Sequence, residues 1–338
     1  MNTGRIVVLA ALFALSPAAC STSSGAPSSP SPWHAAPPLP VPRFEAYAAV
    51  AHGRAYFIGG ITGVEGDIRT AQPSRRVDVF DPATQAWSSA PDLPGDAPKH
   101  HLTVTVWNDS IYVLGGFDGI LGRDGAPFVP VAVAYVLDGG PGASWRKLAP
   151  PPLARGGATA QAIDGLLYVT GGAPNEGEPS YAQLDVYDVS ADRWSTRTPM
   201  PTPREHVASC AVSGTMMVVG GWRDIEQGTQ SGAEEYDPKL DRWTRLPDLP
   251  TGRGGLGAVA IGSACHVVGG EDWRLPPPGT FATHDVFDSV TGTWSSGAPM
   301  PTARHGLGLA WLDGSLYAIG GGPRQGNSYT AIVQVLTP

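Results

Sequence analysis

The stretch GGAPNEGEPSYAQLDVYDVSADRWSTRTPMPTPREHVASCAVSGTMMVVGG, residues 171–221, opens and closes on the same glycine pair. Between the pairs stand Tyr187-Asp188, Trp194, a Pro-Met-Pro and Arg204. These marks recur along the chain. Glycine pairs end apolar runs at Gly59-Gly60, Gly115-Gly116, Gly171-Gly172, Gly220-Gly221, Gly269-Gly270 and Gly320-Gly321, in steps of 56, 56, 49, 49 and 51 residues. Each apolar run follows a turn dipeptide: His52-Gly53, Asn108-Asp109, Asp164-Gly165, Ser213-Gly214, Gly262-Ser263 or Asp313-Gly314. Most of these residues tolerate positive φ and suit tight hairpins. One copy therefore begins as strand, turn, strand, double glycine.

Tryptophan is a second ruler. Trp145, Trp194, Trp243 and Trp294 each stand 26 residues before the next glycine pair, and Trp87 stands 28 before its own. Asp81, Asp188, Asp237 and Asp288 each precede a tryptophan by six, and Asp138 precedes Trp145 by seven. The repeat thus has four strands, with strand c ending in aspartate and strand d carrying tryptophan. A four-stranded repeat of this length reads as one blade of a β-propeller. A lone blade cannot bury both faces of its sheet, whereas a closed ring buries them and leaves no long edge. Trp33 keeps the 26-residue interval to Gly59, yet no strand c precedes it. The last copy stops at VQVLTP, where strand c belongs. Residues 33–39 are therefore expected to supply the missing strand d, closing an all-β ring of six blades.

Composition agrees. Only 15% of residues are charged, and 44 Gly and 34 Pro demand many turns and few long helices. A net charge of −8 argues against a nucleic-acid partner, which needs a basic face. At the N-terminus, one positive charge precedes the ten-residue apolar run IVVLAALFAL and then SPAAC, residues 16–20. That is the pattern of a signal peptide, too short for an ordinary transmembrane helix. Cys20 after two alanines resembles the lipidation site of bacterial lipoproteins, although Pro17 stands where that family has an aliphatic residue. The expectation is residues 1–19 as signal peptide, residues 20–32 as a Ser/Pro-rich tether, and residues 33–338 as the propeller. The protein is expected to be exported and lipid-anchored to the cell envelope through Cys20, or else periplasmic or secreted. Cys210 and Cys265 lie in apolar strand patterns and read as small buried hydrophobes, with a disulfide as the alternative in an oxidising compartment.

The repeat resembles the Kelch family of β-propellers, over about residues 33–338. GGFDG at 115–119 and WSSGAPMPTARHGLG at 294–308 are close to the family consensus. Met217 and His266 stand where tyrosine is usual, and Thr337 stands where strand c has aspartate.

The loop from strand d to the next strand a ends in a cation in every blade: Arg43, Lys99, Arg155, Arg204, Arg253 and Arg304. Strand a is innermost, so these six are expected to ring the mouth of the central channel and draw an anion. The resemblance strengthens that reading, because arginines at this position grip acidic peptides in some Kelch proteins. The structural alternative is hydrogen bonding to loop carbonyls. The next residues vary by blade: Phe44-Glu45, His100-His101, Gly156-Gly157, Glu205-His206, Gly254-Gly255 and His305-Gly306. Histidine and glutamate are the usual proton-transfer pair. Clustered histidines also bind metals, but there is no HExxH and no zinc-finger spacing, so no metal or cofactor is expected. On the loops after the glycine pairs, Trp222-Arg223 and Trp273-Arg274 fall outside the repeat ruler and suit ligand contact.

The expected function is an extracytoplasmic binding module for an anionic peptide, glycan or partner protein on the loop face. The alternative, implied by the resemblance, is a sugar epimerase like the sialic-acid mutarotases, with Glu205, His206 and Arg204 as catalytic candidates. Copper galactose oxidases are a more distant case, since no cysteine-tyrosine copper site is evident.

Overall fold

The computed structural model describes residues 31–64, 67–119, 128–175, 178–223 and 228–338. The expected signal peptide, Cys20 and most of the expected tether lie outside the described residues. Six antiparallel four-stranded sheets follow one another along the chain. Blade 1 comprises Tyr47–Ala51, Arg54–Ile58, Val77–Asp81 and Ala86–Ser89 as strands a to d. Blade 4 comprises Ala208–Val212, Thr215–Val219, Ala233–Asp237 and Arg242–Leu246, and blade 5 Gly257–Ile261, Ala264–Val268, His284–Asp288 and Thr293–Ser296. Blades 2 and 3 run from Val104 to Leu148 and from Gly156 to Arg197. The turn dipeptides do adopt left-handed backbone, with Asn108 at φ 47° and Asp109 at φ 58°.

Blade 6 closes the ring. Gly308–Leu312, Ser315–Ile319 and Val333–Leu336 are completed by Trp33–Ala35, with Trp33 opposite Leu336 and Ala35 opposite Gln334. The N-terminal strand therefore pairs with the C-terminal one, as the tryptophan interval requires.

The hydrophobic core is divided among the seams between blades. Ile58, Val77 and Val79 of blade 1 pack on Ile111, Val113 and Leu137 of blade 2, and equivalent clusters fill the other five seams. Each strand-d tryptophan ties its blade to the preceding one. Its indole N–H donates to a carbonyl just past the neighbouring strand d: Trp87 to Pro37, Trp145 to Pro91, Trp194 to Ala149, Trp243 to Thr198, Trp294 to Pro247 and Trp33 to Ala298, at 2.8–2.9 Å. Tryptophan suits this place because it supplies both apolar area and one donor. The glycine pairs form the inner side of each seam. A Cβ on Gly269 would lie 2.4 Å from the carbonyl oxygen of Arg304, and the Gly270 N–H donates to that same oxygen at 2.9 Å. Only glycine permits this approach.

Two features depart from the sequence reading. Cys210 and Cys265 form a disulfide with Cα atoms 5.8 Å apart, rather than standing as separate buried thiols. Strand a of blade 4 and strand b of blade 5 face each other across one seam, which brings them into range. Blade 1 also carries a β-ribbon, Ile61–Val64 with Asp67–Pro73, on its loop after the glycine pair. Among the described residues no helix is long and apolar enough to cross a membrane.

Candidate functional site

The five arginines of the d–a loops do not open onto the channel mouth. Arg43, Arg155, Arg204, Arg253 and Arg304 are all at most 1% exposed. Each guanidinium turns into its own blade and is held at the end of the sheet. Arg155 donates to the carbonyls of Val169, Gly171 and Gln183 and to Asp185. Arg204 repeats the pattern with Gly220, Gly232 and Glu234. Arg43 pairs with Asp78 at 2.7 Å and Arg253 with Asp285 at 2.8 Å. Lys99 pairs with Asp118. The expectation of a solvated cationic ring is corrected accordingly. A buried guanidinium needs acceptors, and blade carbonyls with one carboxylate supply them for Arg43, Arg155, Arg204 and Arg253, although Nε and Nη1 of Arg43 and Nε of Arg204 have no partner among the described residues. Arg304 differs, because Gln334 takes the carboxylate's place at 3.0 Å. Burial pulls its pKa down to about 9.

Two residues beyond each cation, the chain forms a ring the sequence did not suggest. The backbone N–H of Glu45 donates to Gly306, Gly306 to Gly255, Gly255 to His206, His206 to Gly157, Gly157 to His101, and His101 to Glu45, at 2.7–3.2 Å. Six hydrogen bonds, one per seam, thus close a circle around the channel axis. All six residues have left-handed backbone. Three are glycines, and neighbouring side chains crowd the space they leave: a Cβ on Gly306 would lie 2.5 Å from Glu45 Oε1, one on Gly157 3.3 Å from His206 Nδ1, and one on Gly255 3.5 Å from His305 Cβ. Below the ring, the strand-a residues line a channel cavity of about 370 Å³, with Thr105, Thr159, Gln161 and Ser209 as its polar wall.

Glu45, His101 and His206 converge inside this ring, their ligand atoms all within 4.8 Å of one another. All three are buried. His101 Nε2 stands 3.6 Å from Glu45 Oε2, and His206 Nδ1 stands 3.6 Å from Glu205 Oε2. His305 joins from blade 6, with Nδ1 2.9 Å from Glu271 Oε1 and 3.8 Å from Glu45 Oε1. Phe44, Phe117, Phe128 and Trp222 pack around these rings. Burial raises the pKa of Glu45, against the pull of His206 and His305. Burial lowers His101 well below the ordinary range and holds His100 at about 4, so both are neutral imidazoles at pH 7. His305 is pulled down by burial, but Glu271 outweighs that and raises it.

The hydrogen bonds then assign protons. His100 Nε2 lies 2.8 Å from the carbonyl oxygen of Gly119 and must donate to it. A neutral His100 therefore accepts at Nδ1, where His101 Nδ1 sits at 2.7 Å and donates. His101 Nε2 is left as a bare lone pair facing the Glu45 carboxyl group.

Other candidates are dispersed. Glu205 and His206 are adjacent and buried, but Arg204 is committed to Glu234 in the blade and does not converge with them. Trp222 is only 8% exposed and packs against His206 with the rings tilted by 44°, so it is part of the packing and not a free loop aromatic. Trp273 is 50% exposed. Its neighbour Arg274 reaches Asp272 and, in blade 4, Thr229, while Arg223 lies on the surface. The Trp273 loop is anchored on the other side as well, where Gln325 of blade 6 donates to the carbonyls of Asp272 and Leu275.

Comparison with known proteins finds the same repeat in two parts of the chain. The Kelch motif matches residues 42–94 and 203–250. Two stretches of this six-bladed β-propeller, in blades 1 and 4, thus match the Kelch motif. It is 26% identical over 166 residues to Kelch-like protein terF of Aspergillus terreus, covering 48% of this chain and 34% of that protein. It is 32% identical over 152 residues to the human Kelch repeat and BTB domain-containing protein 12, covering 41% of this chain and 23% of that one. The matches thus span about a third or less of these relatives. The solved structure of YjhT superposes with a TM-score of 0.71 at 16% identity, over 90% of this chain and 97% of that one, which establishes the shared fold.

Proposed function

We propose that this propeller is a binding module whose loop face docks an acidic, apolar-bearing segment of a partner protein. The observation that carries the reading is the Trp273 loop. Trp273 and Leu275 are 50% and 43% exposed, unusual for such large apolar side chains, yet their loop is tied to blades 4 and 6 at once. A rigid exposed aromatic beside arginine is the residue pattern of interface hot spots. Arg223 supplies positive charge at the rim, in a chain whose net charge is −8, while Arg274 is paired with Asp272 and steadies the loop. The d–a loop arginines are not part of this surface, since their charge is spent inside the blades. Export is the compartment proposed with it, supported by the Cys210–Cys265 disulfide, which belongs to oxidising surroundings. The sugar-epimerase alternative is weaker, because Arg204 stands apart from Glu205 and His206 as a carboxylate binder.

The test is a screen of acidic peptides and of uronic and sialic acids against the folded domain. Acidic peptides should bind, binding should fall with added salt, and Trp273→Ser and Arg223→Glu should each weaken it about tenfold with the melting temperature unchanged. Selective sugar-acid binding, or peptide binding indifferent to Trp273→Ser, would overturn the reading.

A further inference from the structure

The channel below the ring is a blind cavity. Its loop-face end is shut, since Glu45, His101, His206 and His305 are at most 5% exposed. Its wall runs along the six strands a as far as Val50, Val106, Ala162, Ala260 and Trp311, each two residues before an a–b turn. The cavity of about 370 Å³ therefore opens among those turns, at the opposite end from the loop that carries Trp273. Strand a is the free edge of every sheet, so its outward peptide groups have no ladder partner and offer hydrogen bonds to whatever fills the channel. Blades 2 to 4 add the hydroxyls of Thr105, Thr159 and Ser209 and the amide of Gln161. Gln161 Nε2 donates to the Ser209 carbonyl and hydroxyl at 2.9 and 3.0 Å, which fixes the amide and leaves Oε1 as an acceptor. Blades 5 and 6 face them with Ala258, Ala260, Leu309 and the ring of Trp311. None of the described residues lining the cavity is acidic or basic, and the turns at its mouth carry Asp109, Asp164 and Asp313. Such a rim repels anions, and the interior holds no carboxylate to keep a cation.

We propose that this cavity binds one small uncharged ligand, a two-ring molecule with an apolar body and a hydroxyl or amide donor on one side. The volume gives the size. A cavity of about 150 Å³ holds benzene, so the 370 Å³ here has room for two rings. The two sectors of the wall give the orientation, with the rings against Leu309 and Trp311 and the donor towards Thr105 and Gln161 Oε1. Water suits only half of this wall. It is held along the polar sector but finds no side-chain partner at Ala258, Ala260 and Leu309, where its displacement by an apolar ring is favourable. The acidic rim and uncharged wall exclude carboxylates and phosphates, which separates this ligand from the acidic segment proposed for the loop face.

The experiment uses the whole purified chain at pH 7 and three probes of similar size: 2-naphthol, naphthalene and 2-naphthoate. Calorimetry should show one 2-naphthol bound per chain, with a Kd on the order of 10–100 μM, the range open to so small a ligand. Naphthalene, which lacks a donor, and 2-naphthoate, which carries a charge, should each bind at least tenfold more weakly. The double variant Thr105→Val with Gln161→Leu should lower 2-naphthol binding to the level of naphthalene and leave naphthalene as it was. Trp311→Ala should weaken both about tenfold. Val290→Ser, at the exposed c–d turn of blade 5, should change nothing. A thermal melt of each variant confirms that it is folded, and the melting temperature of the parent should rise on adding 2-naphthol. Absence of saturable 2-naphthol binding by the folded parent overturns the proposal and leaves the channel to water. Equal affinity for all three probes overturns it too, because the polar sector and the acidic rim are then not selecting the ligand. So does binding that survives Trp311→Ala and the double variant at full affinity, since the probe is then held elsewhere. None of these results bears on partner docking at Trp273, which lies at the other end of the channel.

Discussion

Gln334 is the residue that breaks the pattern of the buried arginines. In blade 4, Thr202 donates to Glu234, and Glu234 accepts from Arg204 at 2.9 Å. In blade 6 the same three places hold Thr302, Gln334 and Arg304, with the amide reaching both neighbours. Arg304 is therefore a buried cation without a carboxylate. Gln334→Glu recreates the blade 4 arrangement and should stabilise the domain by about 1–2 kcal/mol, the gain typical of hydrogen bonds to charged groups. Arg253→Ala should do the opposite, because it strands the buried Asp285 carboxylate; a loss of about 3–5 kcal/mol is expected. Thermal melts of the two variants check both signs. If Arg253→Ala melts like the parent, the arginines are not holding the blades. The recurrence of a cation in every d–a loop was legible in the sequence. Its burial was not, because that depends on which strand-c residue faces it, and the acceptor sits 30 to 35 residues further on without a motif, as Asp78 does for Arg43 and Asp185 for Arg155.

In strand b of blade 5, His266 stands where other blades have Tyr56, Tyr112, Tyr168 and Tyr317. Its Nδ1 meets His284 Nε2 at 2.9 Å, and His284 Nδ1 donates to the carbonyl oxygen of Ala298. Both rings are thus neutral, and burial and the second ring hold His266 at about 4 against an ordinary 6.5. Between these values the unfolded chain takes up a proton that the native strand refuses, so stability falls as pH drops through that window. His100 and His101, also lowered by burial, act in the same direction. His305 acts oppositely: its raised pKa favours the native state below the ordinary value and loses that contribution as pH rises. The melting temperature should therefore drop steeply from about pH 6.5 to 4, and His266→Tyr should flatten that drop by removing about one proton of uptake. An unchanged slope in His266→Tyr would mean that the pair titrates as it does in the unfolded chain. The strand periodicity and the tryptophan interval were enough to place every blade. The Cys210–Cys265 bond was not readable in that way, because it depends on strand register across a seam. Its removal by Cys210→Ala with Cys265→Ala should cost about 2–4 kcal/mol.

Across the whole molecule, six seams share one design, and function can only reside where the repeats differ. Two concentric sets of hydrogen bonds carry the design: indole N–H groups outside, and the backbone ring at Glu45, His101, Gly157, His206, Gly255 and Gly306 inside. The sequence showed that these inner positions vary by blade, but convergence of residues 45, 101 and 206 on one point is a property of ring closure and has no linear signature. Closure is also the weakest joint, since blade 6 alone is completed by a distant part of the chain. Only three residue pairs, Trp33–Leu336, His34–Val335 and Ala35–Gln334, form that strand ladder. It is reinforced by Trp33 Nε1 donating to Ala298, by the Leu39 N–H donating to Ala331, and by burial of Trp33 and Leu39 in the seams on either side of blade 6. Deleting residues 33–39 removes all of these, exposes the edge of Val333–Leu336, and leaves the Trp87 indole N–H without its acceptor, the Pro37 carbonyl. The expected result is a domain that melts far below the parent and aggregates through the open edge. A deletion variant that remains monomeric, with the parent's melting temperature, would show that the ring closes without its N-terminal strand.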